Sequence, residues 1–129
     1  YKIRLFALDK NDAYEFDDVS NIHLAKLGFT FPSVNKSYNY KDKTPFIVSY
    51  KNRYGVYPNR YAVRGFDVAY DVLLRLGSAK DVYASAKEDY VTEYVENKFR
   101  YTKNSSRGYR NQATYIIKYK DDLEFEIVE

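Results

Sequence analysis

Asp67 and Asp71 come closest in this sequence to a spacing that acid–base chemistry could use. At i and i+4 the two carboxylates stand on one side of a helix, one turn apart. Arg64, Arg75 and Lys80 lie nearby, so the same spacing reads more simply as helix ion pairing. A second acidic group, Asp9, Asp12, Asp17 and Asp18, lacks the regular ligand positions, the glycine and the closing glutamate of a calcium-binding EF-hand loop. His23 is the one histidine, and it has no second His or Cys with which to hold zinc. The chain has no cysteine, which excludes disulfides, thiol chemistry and thiolate metal sites. No Ser-His-Asp order, glycine-rich nucleotide loop or HExxH motif is present. The expectation is a protein that is not an enzyme and uses no metal or cofactor.

Binding chemistry is the alternative. The 129 residues include 16 tyrosines. A tyrosine joins a large apolar ring to a polar tip, which suits half-buried sheet and helix faces. The same residues could stack on sugars, with Tyr38, Tyr40, Tyr54 and Tyr57 as the candidates if they share one exposed face. The balance of 21 basic against 18 acidic side chains leaves a net charge of +3. Lys41, Lys43, Lys51, Arg53, Arg60 and Arg64 are scattered and form no stripe, so no nucleic-acid partner is expected. No apolar run approaches the roughly 20 residues of a membrane span, and no signal segment is visible.

The elements that must position these residues follow from periodicity and punctuation. Residues 2–8 alternate as a strand, with Ile3, Leu5 and Ala7 on one side. Asp17 or Asp18 caps a helix that runs to about Leu27, and Gly28 closes it. Residues 29–34 form a second strand, which makes a parallel β-α-β unit. Thr44-Pro45 starts a helix that stops at Gly55. A longer helix spans Tyr61 to Leu76, with Phe66, Ala69, Tyr70, Leu73 and Leu76 at helical spacing, and Gly77 closes it. Residues 78–89 are helical in part, and 93–102 are strand-like. Asn104 to Gly108 is a turn. Residues 113–119 and 123–128 form a C-terminal antiparallel hairpin with Tyr115, Ile117 and Tyr119 on one face. One parallel pair leaves sheet edges and faces without partners. The chain also starts inside a strand pattern and without Met. It therefore reads as one piece of something longer, completed by an upstream remainder of the same protein or by a second copy.

An ordered series of residues gives this reading a family. Leu24-Ala25-Lys26-Leu27-Gly28-Phe29 is followed by Phe46, Tyr54-Gly55, Pro58, Tyr61-Ala62 and Gly65-Phe66-Asp67. The series resembles the C-terminal part of a type I periplasmic-binding-protein-like domain, the fold of amino-acid ABC-transporter receptors. The similarity is to a Bacteroidetes branch associated with LysM modules, and it covers nearly the whole chain. It implies an α/β fold that is part of a two-lobed clamp, with residues 1–34 and 93–129 in the second lobe and a first-lobe helix at 56–77. It also implies non-catalytic binding of a small ligand between lobes, in the periplasm or cell envelope. The matching cleft positions are Asp9, Lys10 and Asn11 after the first strand, and Tyr61 and Arg64 at the start of the long helix. The carboxyl ends of strands in open α/β sheets are where ligands collect. Asp9 would take an ammonium group and Arg64 a carboxylate, as an amino acid or peptidoglycan fragment would require.

Three functions follow as expectations. The first is a cell-envelope ligand-binding or scaffold domain, linked upstream to peptidoglycan-binding modules. The second is a self-associating structural module with no small ligand. The third is a tyrosine-rich glycan-binding surface.

Overall fold

The computed structural model describes residues 1–10, 14, 19–104 and 108–128. In chain order its elements are α1 (Asn21–Lys26), β1 (Thr30–Ser33), α2 (Pro45–Tyr54), α3 (Arg60–Ser78), α4 (Val82–Ser85), β2 (Thr92–Glu93), β3 (Lys98–Phe99), β4 (Tyr101–Lys103), β5 (Tyr109–Asn111), β6 (Tyr115–Tyr119) and β7 (Phe125–Ile127). The fold mixes helix and sheet and ends in an antiparallel sheet. Two compact units divide the chain: unit one holds Tyr1–Lys36 and Thr114–Glu129, and unit two holds Ser37–Ala113.

In unit one the strand order is β1-β6-β7, antiparallel throughout, with Phe31 opposite Ile117 and Ile117 opposite Ile127. The C-terminal hairpin is therefore present, and it joins the strand that follows α1. Tyr115, Ile117 and Tyr119 are buried along β6, as the alternation predicts. They pack with Leu24, Ala25, Phe29 and Phe31 into one core. Burying each large side chain stabilises by about 1.5–3 kcal/mol. Gly28 adopts φ +57° between α1 and β1, a turn that a side-chain-bearing residue resists.

The expected strand over residues 2–8 is reduced to a short parallel contact. Phe6 bridges Thr30, Leu5 N–H donates to Leu27 O, and Ala7 N–H donates to Thr30 O. The direction is that of a β-α-β unit, but the ladder does not extend. Leu5 and Ala7 reach the core, whereas Ile3, Phe6 and Leu8 are exposed. The expected caps Asp17 and Asp18 lie outside the described residues, and Ser20 occupies the N-cap of α1.

Unit two begins as the sequence predicts. Thr44 Oγ1 accepts from Ile47 N–H, Pro45 occupies the first turn of α2, and Gly55 ends it at φ +74°. Asn59 Oδ1 then accepts from Tyr61 and Ala62 N–H and caps α3. Gly77 does not close this helix. It lies inside α3, Ser78 Oγ donates to Arg75 O, and the chain turns extended at Ala79. Residues 93–102 do not form one strand but the short β2–β3 hairpin and the start of β4. Residues 93–113 fold with α3 in unit two, whereas the lobe assignment groups 93–129 with 1–34.

Candidate functional site

The charged residues of α3 are Arg60, Arg64, Asp67, Asp71 and Arg75. Their spacing places all five on one side of the helix. From its middle onward that side faces inward: Asp67 and Asp71 are 0% exposed and Arg75 is 1% exposed, whereas Arg64 is half-buried and Arg60 is exposed. Buried charge is tolerated only when its hydrogen bonds are met, and here nearly all of them are.

Asp67 seats its carboxylate in a turn. Oδ2 accepts from Glu96 N–H at 2.8 Å, Asn97 N–H at 2.9 Å and Asn97 Nδ2 at 3.0 Å, while Oδ1 accepts from Val95 N–H at 3.1 Å. Successive backbone N–H groups turned toward one point make an anion site, and the helix supplies the anion. Asp71, one turn on, accepts from Thr92 Oγ1 (2.6 Å), Tyr94 OH (3.0 Å), Tyr101 OH (3.1 Å) and Arg75 Nε (2.9 Å). The Arg75 guanidinium lies over the rings of both Tyr90 and Tyr101, 4.6 Å from each centroid. Its Nη1 is buried without a hydrogen-bond partner. Burial first, then the Asp71 carboxylate, push the Tyr101 phenol up to about 12. Burial likewise raises Tyr94. Both carboxylates of the sequence pair are thus saturated with donors. Asp71 forms the expected i,i+4 ion pair with Arg75, and Asp67 is a tertiary anchor.

The opposite side of α3 has the reverse character. Ala62, Gly65, Ala69, Val72 and Leu76 follow a 3-4-3-4 spacing, flanked by Tyr61, Val68 and Leu73. Tyr61 is 73% exposed, Leu73 65%, Leu76 48% and Val68 46%. An amphipathic helix ordinarily turns its apolar stripe to the core and its charges to water; in α3 the side chains of Asp67, Asp71 and Arg75 are buried beside Val63, and much of the apolar side is exposed. Beside this stripe, Phe46 of α2 stacks on Phe66 at 4.0 Å and Phe66 on Tyr70 at 5.2 Å. Tyr70 meets Tyr94 edge-on. A shallow groove of about 290 Å³ runs past these rings, with Thr44 and Glu93 among its lining residues.

Comparison with protein-family models, curated proteins and solved structures finds no match.

Asp9 and Lys10 lie in unit one, where Lys10 Nζ sits over the Phe125 ring at 5.8 Å. Asn11 lies outside the described residues. Tyr61 and Arg64 lie in unit two, on the first turns of α3. Tyr61 is exposed, and Arg64 pairs with Glu96 at 3.3 Å. Within unit two, then, Tyr61 and Arg64 are close, but Arg64 is already committed to a carboxylate. Of the tyrosine platform, Tyr38 is half-buried and donates to Pro58 O. Tyr40 and Tyr57 have ring centroids 5.1 Å apart, and Lys51 Nζ covers the Tyr57 ring at 4.0 Å. Tyr54 packs on Tyr50 at 4.6 Å. Of the acidic group, Asp12, Asp17 and Asp18 lie outside the described residues. Among the described residues no three His, Asp or Glu side chains gather as metal ligands, and no helix is long and apolar enough to cross a membrane.

Sequence reasoning missed the seam that joins Asp71, Arg75, Thr92, Tyr94 and Tyr101, and it missed the outward stripe. The signal for both was the 60-64-67-71-75 spacing of charge, opposed to the 62-65-69-72-76 spacing of small and apolar residues.

Proposed function

We propose that this chain is a non-catalytic scaffold domain of the cell envelope whose working surface is the outward side of α3. The observation that carries the reading is the inverted polarity of that helix. Its charges are spent inside unit two, on Asp67, Asp71 and Arg75, and its apolar stripe is turned out. Contiguous exposed apolar surface marks an interaction site, and a stripe without charge has the composition of an interface centre. The two acidic residues with catalytic spacing are saturated by donors, which supports a role without chemistry.

The placement in a type I periplasmic-binding-protein-like clamp rests on the residue series around Tyr54-Gly55 and Gly65-Phe66-Asp67. The parallel contact across α1 and the antiparallel C-terminal sheet are in keeping with it. Within that placement the scaffold branch is favoured over small-ligand binding, because Arg64 is paired with Glu96. The glycan reading has less support, since the rings of Tyr54 and Tyr57 are partly covered by their own neighbours.

The test is a surface variant, Val68→Asn/Leu73→Gln/Leu76→Gln, probed with a dye that fluoresces on exposed apolar surface. Dye fluorescence should fall several-fold while unfolding stability stays within about 0.5 kcal/mol of the parent, as for ordinary surface positions. A loss of about 2–5 kcal/mol, the cost of a core truncation, would mean that the stripe is internal packing, and the reading would fail. A parallel thermal-shift screen with amino acids, peptides and muropeptides tests the ligand branch, and a saturable shift would restore it.

A further inference from the structure

We propose that unit one binds a small multivalent oxyanion, a free solute or lipid headgroup carrying two or more phosphate or carboxylate charges, in the basic pocket where the α1–β1 turn meets the end of β6. The pocket has a volume of about 600 Å³, inside the roughly 300–1,000 Å³ of small-molecule sites. Lys2, Arg4, Lys26, Lys118 and Lys120 line it. They come from three segments far apart in the chain, and unit one holds all of them. Against these five cations the lining has three carboxylates, Asp121, Asp122 and Glu126. The surplus of two positive charges compares with +3 for all 129 residues. Like charges drawn around one concavity repel each other, and the concavity focuses their field on an anion that enters it. The α3 surface lies in unit two, so the pocket stands or falls independently of the scaffold reading.

The fold fixes this grouping. Leu5 N–H donates to Leu27 O and Thr30 N–H to Leu5 O, which ties residues 2–4 to the α1–β1 turn. Tyr119 N–H donates to Phe29 O and brings the end of β6 to the same place. Gly28 turns there at φ +57°, and a Cβ added to it would lie 3.6 Å from Lys118 Cε, so the lysine stem crosses the glycine. Carbonyls at the end of a helix ordinarily disfavour an anion. Here Leu24 O accepts from Phe29 N–H, Ala25 O from Gly28 N–H, Leu27 O from Leu5 N–H and Gly28 O from Thr30 Oγ1, so these acceptors are already engaged. Lys118 pairs with Glu126 at 3.6 Å, and Lys120 with Asp122 at 2.8 Å and Glu124 at 3.4 Å. Lys2, Arg4 and Lys26 are exposed and have no ion pair among the described residues. Asp121 is the lining carboxylate left over, one negative charge for three cations. An arginine fork grips two oxygens at once, and each lysine adds a point charge. A single carboxylate cannot engage three such groups, which is why the ligand is multivalent.

The experiment is isothermal titration calorimetry of the full chain at low ionic strength with three probes: inorganic tripolyphosphate, citrate, and vesicles of phosphatidic acid and phosphatidylcholine. At least one should bind saturably, and more weakly as salt rises. Binding of tripolyphosphate or citrate marks the ligand as a free solute, and binding of the vesicles alone marks it as a lipid headgroup. Arg4→Gln/Lys26→Gln should weaken binding by about tenfold or more with unchanged circular dichroism. Lys41→Gln/Lys43→Gln removes the same charge from exposed positions in unit two and should weaken it by less than about twofold. Amide resonances of residues 26–28 and 118–121 should shift as the bound probe is added. That map needs no variant, so it tests the site even where a substitution disturbs folding. No saturable binding by any probe overturns the proposal. So does equal weakening by the two double variants, or a set of shifts confined to other residues.

Discussion

Removing the Asp67 carboxylate should unfold unit two from the turn outward. Asp67→Ala strands four donors at once: the N–H groups of Val95, Glu96 and Asn97, and the Asn97 amide. A buried donor left without an acceptor costs about 1–3 kcal/mol, and breaking a buried charge network typically costs about 3–5 kcal/mol in all. A loss of about 5 kcal/mol is therefore expected, a large share of the 5–15 kcal/mol that holds a typical domain together. Asp67→Asn is the graded control. Its amide oxygen can keep the three bonds now made to Oδ2, but its NH₂ faces the Val95 N–H, for a cost of about 2 kcal/mol. Amide hydrogen exchange reads the local effect. In Asp67→Asn the N–H groups of residues 95–97 should exchange about 30-fold faster, the equivalent of that energy. Urea unfolding followed by tyrosine near-ultraviolet dichroism should rank parent above Asn above Ala. If Asp67→Ala unfolds within about 0.5 kcal/mol of the parent and residues 95–97 stay protected, then the carboxylate does not organise the turn.

Alkaline pH should weaken unit two through Tyr101. Its phenol is raised from 10.0 to about 12 by burial and by Asp71, so the folded state holds a proton that the unfolded state releases first. The stabilisation is present below pH 10 and is lost as pH rises toward about 12; Tyr101→Phe should flatten that slope in pH-dependent urea titrations, and a slope unchanged in the variant would refute the assignment. Asn59→Ala removes the cap of α3 and should cost about 1 kcal/mol, read from the urea midpoint together with faster exchange of the Tyr61 and Ala62 amides. A double-mutant cycle on Phe46 and Phe66, whose rings stack at 4.0 Å, should return a coupling of about 0.5–1.5 kcal/mol, and a coupling near zero would show that the stack is mere proximity.

Local signals in the sequence were read well where the chemistry is local. Thr44-Pro45 and Gly55 bound α2 because a cap, a fixed φ and a left-handed glycine act within one turn. The β6 alternation was legible because only one face of that strand is buried. Residues 2–8 misled because alternation reports which side chains could be covered, and only Leu5 and Ala7 find a core. Residues 93–102 misled because a distant carboxylate, Asp67, bends them. The faces of α3 were the hardest to read. Periodicity locates an amphipathic helix, but its sign assumes that charge seeks water, and the Asp71–Arg75 pair with its tyrosine donors satisfies charge internally. The spacing at 67 and 71 suggests helix ion pairing, and Asp71 does pair with Arg75. Its partners, Thr92, Tyr94 and Tyr101, lie some twenty to thirty residues away, where no single-sequence spacing rule reaches.

The division of the chain has a consequence for the order of assembly. Unit two is continuous, whereas unit one is built from both ends, and its β1 must wait for β6 near the end of the chain. Closing such a long loop is entropically slow. During synthesis the helical middle can settle on the ribosome while Phe29 and Phe31 remain uncovered. Residues 29–33 are therefore the stretch most in need of a chaperone until residues 115–127 have emerged.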